Sequence, residues 1–279
     1  MLNGIQKAAY FLLLMLSSNI GISNTLIPFD FVNGLILIEA EIDGHTGSFI
    51  LDSGSNGVLL NSKSAHTNIS YQTLSGIAEG TEKEISALRV GEFESKNLLG
   101  FATDLSNIET YLSRSISGII GSAIFNPSSL TIDFINSEIV LSDDPVSESI
   151  SANLSSIPYE VIDDLPVAQL SIGGQPQHFI LDSGASSHFI DIKALDGAHS
   201  ITPTGTSKTI YTAAAQKTSA AQYRIDNVIM GTTESTMEAY DKDFSPLAEA
   251  MDIPIVGLIS LRRLGDKVYF DVTSEKVYF

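Results

Sequence analysis

The chain has 279 residues, 43% of them hydrophobic and 17% charged, with a mean hydropathy of +0.18. That is apolar material for a real core in one large or two small domains, and it excludes a disordered or low-complexity chain. The absence of cysteine removes disulfide scaffolds, thiolate zinc sites and cysteine nucleophiles, and 33 acidic against 15 basic residues, net −18, repel the phosphate backbone of nucleic acids.

The first predicted element is a targeting segment, residues 1–23. Lys7 supplies positive charge, residues 8–16 are a nine-residue apolar run, and Ser17, Ser18, Gly21 and Ser23 follow. Nine apolar residues fall well short of the ~20 that span a bilayer. The pattern predicts a signal peptide cut near Ser23 and an exported chain, periplasmic or extracellular, without stable membrane insertion afterwards. An uncleaved amino-terminal anchor is the alternative, because no clean small-x-small triplet marks a cleavage site. Without residues 1–23 the chain keeps 14 basic and 33 acidic residues, net −19. An exported chain of this size with no disulfide suits a bacterial envelope.

From there the signal is mostly β. Residues 35–42 are apolar and β-branched, 43–47 (Asp-Gly-His-Thr-Gly) are turn chemistry, and 48–51 form a second strand that Gly54 breaks just after Asp52. Short helices are predicted at 105–112 and 246–251. The Ser/Asp/Pro-rich stretch 142–156 reads as a linker. After it, 167–172, a Gly-Gly-Gln-Pro turn and 178–181 repeat the opening pattern, with Gly184 as the breaker.

That recurrence is a self-match at an offset of 130. Residues 27–61 and 157–191 share 11 identities in 35 positions, including an unbroken Phe-Ile-Leu-Asp-Ser-Gly at 49–54 and 179–184. Later in each half, Ile119-Ile120-Gly121 is matched to Ile255-Val256-Gly257. An apolar run around Asp133 or Asp271 and a last short strand close each half. The expected organisation is therefore a signal peptide over 1–23 and two homologous, all-β lobes with minor helix, at 24–150 and 151–279.

Asp-Ser-Gly alone is an ordinary turn tripeptide. Two copies, each ending the same apolar strand in homologous lobes, have a different meaning. A carboxylate at the end of a buried strand is costly unless satisfied, and a pseudo-twofold axis could bring Asp52 and Asp182 together. Carboxylates that close cannot both ionise, so the pair shares a proton. One member can then act as general base on a water while the other acts as general acid. Gly-x-Ser-x-Gly, Gly-x-x-x-x-Gly-Lys and His-Glu-x-x-His are absent, and the histidines at 45, 66, 178, 188 and 199 have no metal-ligand spacing.

On the paired Asp-Ser-Gly motifs and the later apolar-apolar-Gly triplets, the chain resembles the pepsin/retropepsin-like aspartic peptidases. The resemblance implies two β-barrel lobes with the active site at the pseudo-twofold axis. It also implies endopeptidase hydrolysis of polypeptides by a water between Asp52 and Asp182, without metal, cofactor or covalent intermediate. Ser53 and Ser183, in place of the usual threonine, would brace the two loops through their hydroxyls. Gly54 and Gly184 would let amides face the carboxylates. Ser55 would give Asp52 an outer hydrogen bond that its counterpart Ala185 cannot. Gly76, Ile77 and Gly80 lie at the spacing of a flap, with a plain hairpin turn as the other reading, and 206–212 occupy the same place in the second half. With both motifs on one chain a monomer suffices. A non-catalytic relative that holds peptides in the interlobe cleft, and an unrelated two-lobed β protein, are the competing readings.

Overall fold

The computed structural model describes residues 24–63, 69–73, 76–195, 201–213 and 217–279. The expected signal segment lies outside them. Among the described residues no helix is long and apolar enough to cross a membrane.

The first half runs β1 (Thr25–Val32), β2 (Leu35–Ile42), β3 (His45–Asp52), β4 (Val58–Asn61), β5 (Ile69–Thr73), β6 (Gly76–Val90), β7 (Phe93–Thr103), α1 (Ser106–Leu112), β8 (Gly118–Gly121), β9 (Ser129–Asp133) and β10 (Glu138–Ser142). A short helix, α2 (Glu148–Ser151), follows within the predicted linker. The second half runs β11 (Ser156–Ile162), β12 (Leu165–Ile172), β13 (Gln175–Asp182), β14 (His188–Ile190), β15 (Ile201–Tyr211), β16 (Lys217–Met230), β17 (Thr233–Asp241), α3 (Ser245–Met251), β18 (Ile255–Ser260), β19 (Lys267–Asp271) and β20 (Lys276–Tyr278). The helices α1 and α3 fall where the sequence predicts them, and α2 does not follow from it.

Each half closes six strands into a ring. In the first the order is β2-β3-β8-β4-β7-β6 and back to β2. In the second it is β12-β13-β18-β14-β17-β16 and back to β12. Closure removes exposed edges and buries strands on both faces, so β2 and β12 read as nearly continuous apolar runs. Their patterns of buried and exposed positions are identical. A third sheet draws on both halves: β1-β10-β9-β19-β20-β11, antiparallel throughout, with β9 and β19 meeting at its centre. β1 and β11 each leave this sheet halfway along and join their own barrel.

One sequence expectation needs correction. β3 pairs in parallel with β8 so that Asp52 lies opposite Gly121, whereas β13 pairs with β18 so that Asp182 lies opposite Ser260. The counterpart of Ile119-Ile120-Gly121 is therefore Leu258-Ile259-Ser260, three residues beyond Ile255-Val256-Gly257. Gly257 corresponds instead to Gly118. A Cβ at Gly118 would lie 2.1 Å from the Leu59 carbonyl oxygen, and one at Gly257 would lie 2.3 Å from that of Phe189. The local pattern cannot separate the two frames, because a glycine follows two apolar residues in the wrong one. Strand pairing with β13 decides it.

Candidate active site

The sequence Phe-Ile-Leu-Asp at the end of β3 and of β13 carries each chain segment through the core and delivers an aspartate at its mouth. Leu51 and Leu181 are buried, and the next residues turn sharply. The two turns meet. Ser53 N–H donates to Ser183 Oγ at 2.9 Å and Ser183 N–H to Ser53 Oγ at 2.9 Å. Each hydroxyl in turn donates across the axis: Ser53 Oγ to the Leu181 carbonyl at 2.8 Å, Ser183 Oγ to the Leu51 carbonyl at 3.0 Å. Both serines are buried, so these four bonds satisfy groups that have no access to water.

The brace leaves the carboxyls of Asp52 and Asp182 hydrogen-bonded to each other. Gly54 N–H donates to Asp52 Oδ1 at 2.8 Å and Gly184 N–H to Asp182 Oδ1 at 2.6 Å. Gly184 is also packed against the other carboxylate: a Cβ there would lie 2.4 Å from Asp52 Cγ. Burial raises the pKa of Asp52, against the opposing effect of hydrogen bonds from Asp182, Gly54 and Gly184. Burial raises Asp182 well above the ordinary carboxylate range, and the Asp52 charge adds to it, against amide bonds from Gly184 and Ala185. Two carboxyls this close cannot both ionise readily, so they share a proton and titrate as a pair, with Asp182 the more strongly raised of the two.

The expected hydrogen bond from the Ser55 hydroxyl to Asp52 is not formed. Ser55 instead donates its backbone N–H to the Asp52 carbonyl at 3.2 Å. Asp182 and the two glycine amides already occupy the acceptor positions of that carboxylate. Behind the second loop the structure departs from the first. Gly121 N–H donates to the Gly57 carbonyl at 2.7 Å, and a Cβ at Gly121 would lie 2.2 Å from the Ser55 carbonyl oxygen. Ser260 has a side chain there, and its N–H donates to His188 Nδ1 at 3.2 Å while its hydroxyl donates to the Ala185 carbonyl at 2.6 Å. The imidazole replaces a backbone acceptor. Burial, with Arg263 adding, pushes His188 down to about 4 and keeps it neutral for that role. Neither Ser260 nor His188 stands out in the sequence, because a register three residues off conceals their pairing.

The dyad opens into a cavity of about 400 Å³ walled by both halves. Part of the apolar lining is related by the offset of 130, with Leu35 and Leu59 on one side and Leu165 and Phe189 on the other. Asn61 and Asp191, similar but not identical in sequence, hang the helices on the barrels: Leu105 N–H donates to Asn61 Oδ1 at 3.1 Å and Phe244 N–H to Asp191 Oδ2 at 3.3 Å. Two hairpins frame the cavity. In the first, Gly76 and Ile77 pair with Thr73 and Gln72, and Gly80 pairs with Ile69. Residues 74–75 and the side chains of 71–77 lie outside the described part. In the second, β15 pairs with β16, and Thr209–Tyr211 of β15 line the cavity together with Thr212 and Ala213. Each hairpin reaches the helix of the other half: β5 lies against α3 and β15 against α1. The Tyr211 ring is 5.6 Å from that of Tyr111. Among the described residues no group of histidine and carboxylate side chains could hold a metal ion.

Residues 168–258, spanning most of the second barrel, match the aspartyl protease family model. No curated protein matches the chain by sequence. Among solved structures, the basic 7S globulin from soybean is 12% identical over 92% of this chain and 95% of that one, with a TM-score of 0.50. The aspartic proteinase from Irpex lacteus is 12% identical over 92% and 96%, with a TM-score of 0.49. The fold is thus the two-lobed, pepsin-like one, and residues 168–258 resemble the aspartyl proteases.

Proposed function

We propose that this chain is an aspartic endopeptidase that hydrolyses polypeptides with Asp52 and Asp182. The observation that carries the proposal is the pair of hydrogen-bonded carboxyls, held by the reciprocal Ser53–Ser183 brace at the floor of a cleft large enough for a peptide segment. In this reading a water lies between the carboxyls. Asp52, carrying the charge, takes a proton from it as the oxygen attacks the scissile carbonyl carbon, and Asp182 gives its proton to the carbonyl oxygen. The tetrahedral species collapses as Asp52 gives the proton it took to the nitrogen, the C–N bond breaks, and a hydroxyl of the intermediate returns a proton to Asp182. No metal or covalent enzyme intermediate takes part. The two hairpins would close over the substrate from both sides. The raised pKa values of both carboxyls extend the singly protonated state upward, so the alkaline limb of the pH–rate profile is expected above the ordinary carboxylate range.

The test is cleavage of a diverse peptide pool from acid to neutral pH, beside Asp52→Asn and Asp182→Asn. Each substitution removes one of the two roles and with it the proton the pair shares, and is expected to lower kcat/KM by roughly 10³-fold or more. Folded protein that cuts no peptide at any pH would favour a cleft that binds without catalysis. Activity that survives both substitutions would overturn the dyad.

A further inference from the structure

Part of the apolar lining of the cleft is matched between the halves, but its cations are not. Among the described residues that line it, the cations are Lys208 and Lys242, both from the second half. Lys242 precedes Asp243 and α3 as Thr103 precedes Asp104 and α1, so the first half has a neutral hydroxyl at the matching place. Lys208 Nζ lies 2.8 Å from Ser187 Oγ and 3.4 Å from Ser186 Oγ. It also sits over two aromatic faces, 4.3 Å from the Tyr240 ring centre and 4.9 Å from that of Phe189. Hydroxyls and ring faces hold an ammonium in place but do not neutralise it, and no carboxylate of the described residues forms an ion pair with it. Burial pushes Lys208 down to about 8, with Arg263 adding to the effect. Lys242 also falls to about 8 through burial, against the pull of Asp243 and Asp191. Both remain cationic in acid. Glu82 and Asp163 also line the cavity, but neither forms an ion pair with Lys208, so a molecule of net −18 places the Lys208 ammonium, held only by hydroxyls and ring faces among the described residues, on the wall of the cavity that holds the dyad.

We propose that Lys208, assisted by Lys242, forms a carboxylate-binding subsite on the second-half wall of the cleft, selecting peptides that present an acidic side chain or a free chain-end carboxylate there. The consequence for cleavage rests on the peptidase reading above; the binding preference does not. A bound carboxylate would give the Lys208 ammonium a charge partner, and the Ser186 hydroxyl beside it, which lines the cavity, can donate to the same oxygens.

The test uses fluorescent peptides with glutamate or glutamine scanned through each position, each with a free or an amidated carboxyl end. Binding to the full chain carrying Asp182→Asn is read at pH 5.5, where glutamate is ionised, and cleavage by the unaltered chain is read in parallel. About tenfold tighter binding of the glutamate peptide at one position is expected. That preference should vanish in Lys208→Gln and reverse in Lys208→Glu. If the preference follows the free end and not the side chain, the subsite takes the terminal carboxylate. Equal affinity for all four peptide forms, or a preference that persists in the Lys208→Gln, Lys242→Gln double variant, would overturn the subsite. Selective binding without cleavage would sink the peptidase reading and leave the subsite standing. Cleavage without selectivity would do the reverse.

Discussion

Gly184 has no room for a side chain, since its Cβ would fall inside van der Waals contact of the Asp52 carboxylate. Gly184→Ala must displace that carboxylate, and is expected to lower kcat/KM by roughly 100-fold or more while the chain stays folded, as read by peptide cleavage and circular dichroism. Asp182 carries the opposite tension. Its carboxyl is raised well above 3.8, so the folded state holds a proton that the unfolded state releases. It favours folding fully below the unfolded value, and that contribution is lost as pH rises toward the folded value. Asp182→Asn removes a group that is costly to ionise, so thermal denaturation should show a higher Tm than the unaltered protein at pH 7 and a smaller difference near pH 3. Higher stability with lost activity is what a strained functional pair predicts. Ser53→Ala deletes one accepted and one donated bond in a buried site, leaving the Ser183 N–H unpaired. It should cost about 2–4 kcal/mol in denaturant unfolding, with Ser53→Thr close to neutral.

Short elements depend on single side chains. The Asn61 side chain joins β4 to both ends of the α1 segment, accepting from Leu105 N–H and donating its amide to the Ile116 carbonyl at 2.9 Å. Asn61→Ala should cost about 1–3 kcal/mol, measured by urea unfolding. The sequence predicts α1 and α3 but not what anchors α1, because the anchor sits 44 residues away and makes no local pattern. The flap segment is a second case. The turn-like Gly-Ile-Ala-Glu-Gly at 76–80 suggests a turn, yet these residues are extended, in β6 paired with β5, whereas in the second half β15 and β16 make a longer hairpin with fewer glycines. Its Tyr211 meets α1 of the other half, a contact set by how the barrels face each other and not by turn chemistry.

At the scale of the molecule, the shared six-stranded sheet joins the halves through β9 and β19, and one ion pair marks their junction. Lys267 Nζ lies 2.6 Å from Asp133 Oδ2, with that carboxylate nearly buried. Burial opposes ionisation of Asp133, but the Lys267 hydrogen bond and those from Asn136 outweigh it and bring the pKa down to about 2. A lowered carboxyl stabilises the fold above its unfolded value and loses that contribution as pH falls through its folded value. Lys267→Met should therefore cost about 1–2 kcal/mol at pH 7, discounted for the lysine's exposure, and the difference should shrink between about pH 4 and pH 2. Denaturant unfolding at a series of pH values reads it directly.

By itself the sequence determined the strand-rich class, the correspondence of the halves from β1 to β4 and the identity of the two aspartates. These are properties of local composition and ungapped self-similarity, and six identical residues survive any uncertainty of register. Only the tertiary structure decided that Ser260 and not Gly257 stands opposite Asp182, that His188 replaces a backbone acceptor, and that Lys208 and Lys242 share a wall with the dyad. Those facts depend on strand pairing between segments far apart in the chain and on which face of a closed barrel turns inward. A linear pattern does not specify either, because a glycine after two apolar residues, or a lysine in an exposed-looking strand, has the same local appearance in several registers.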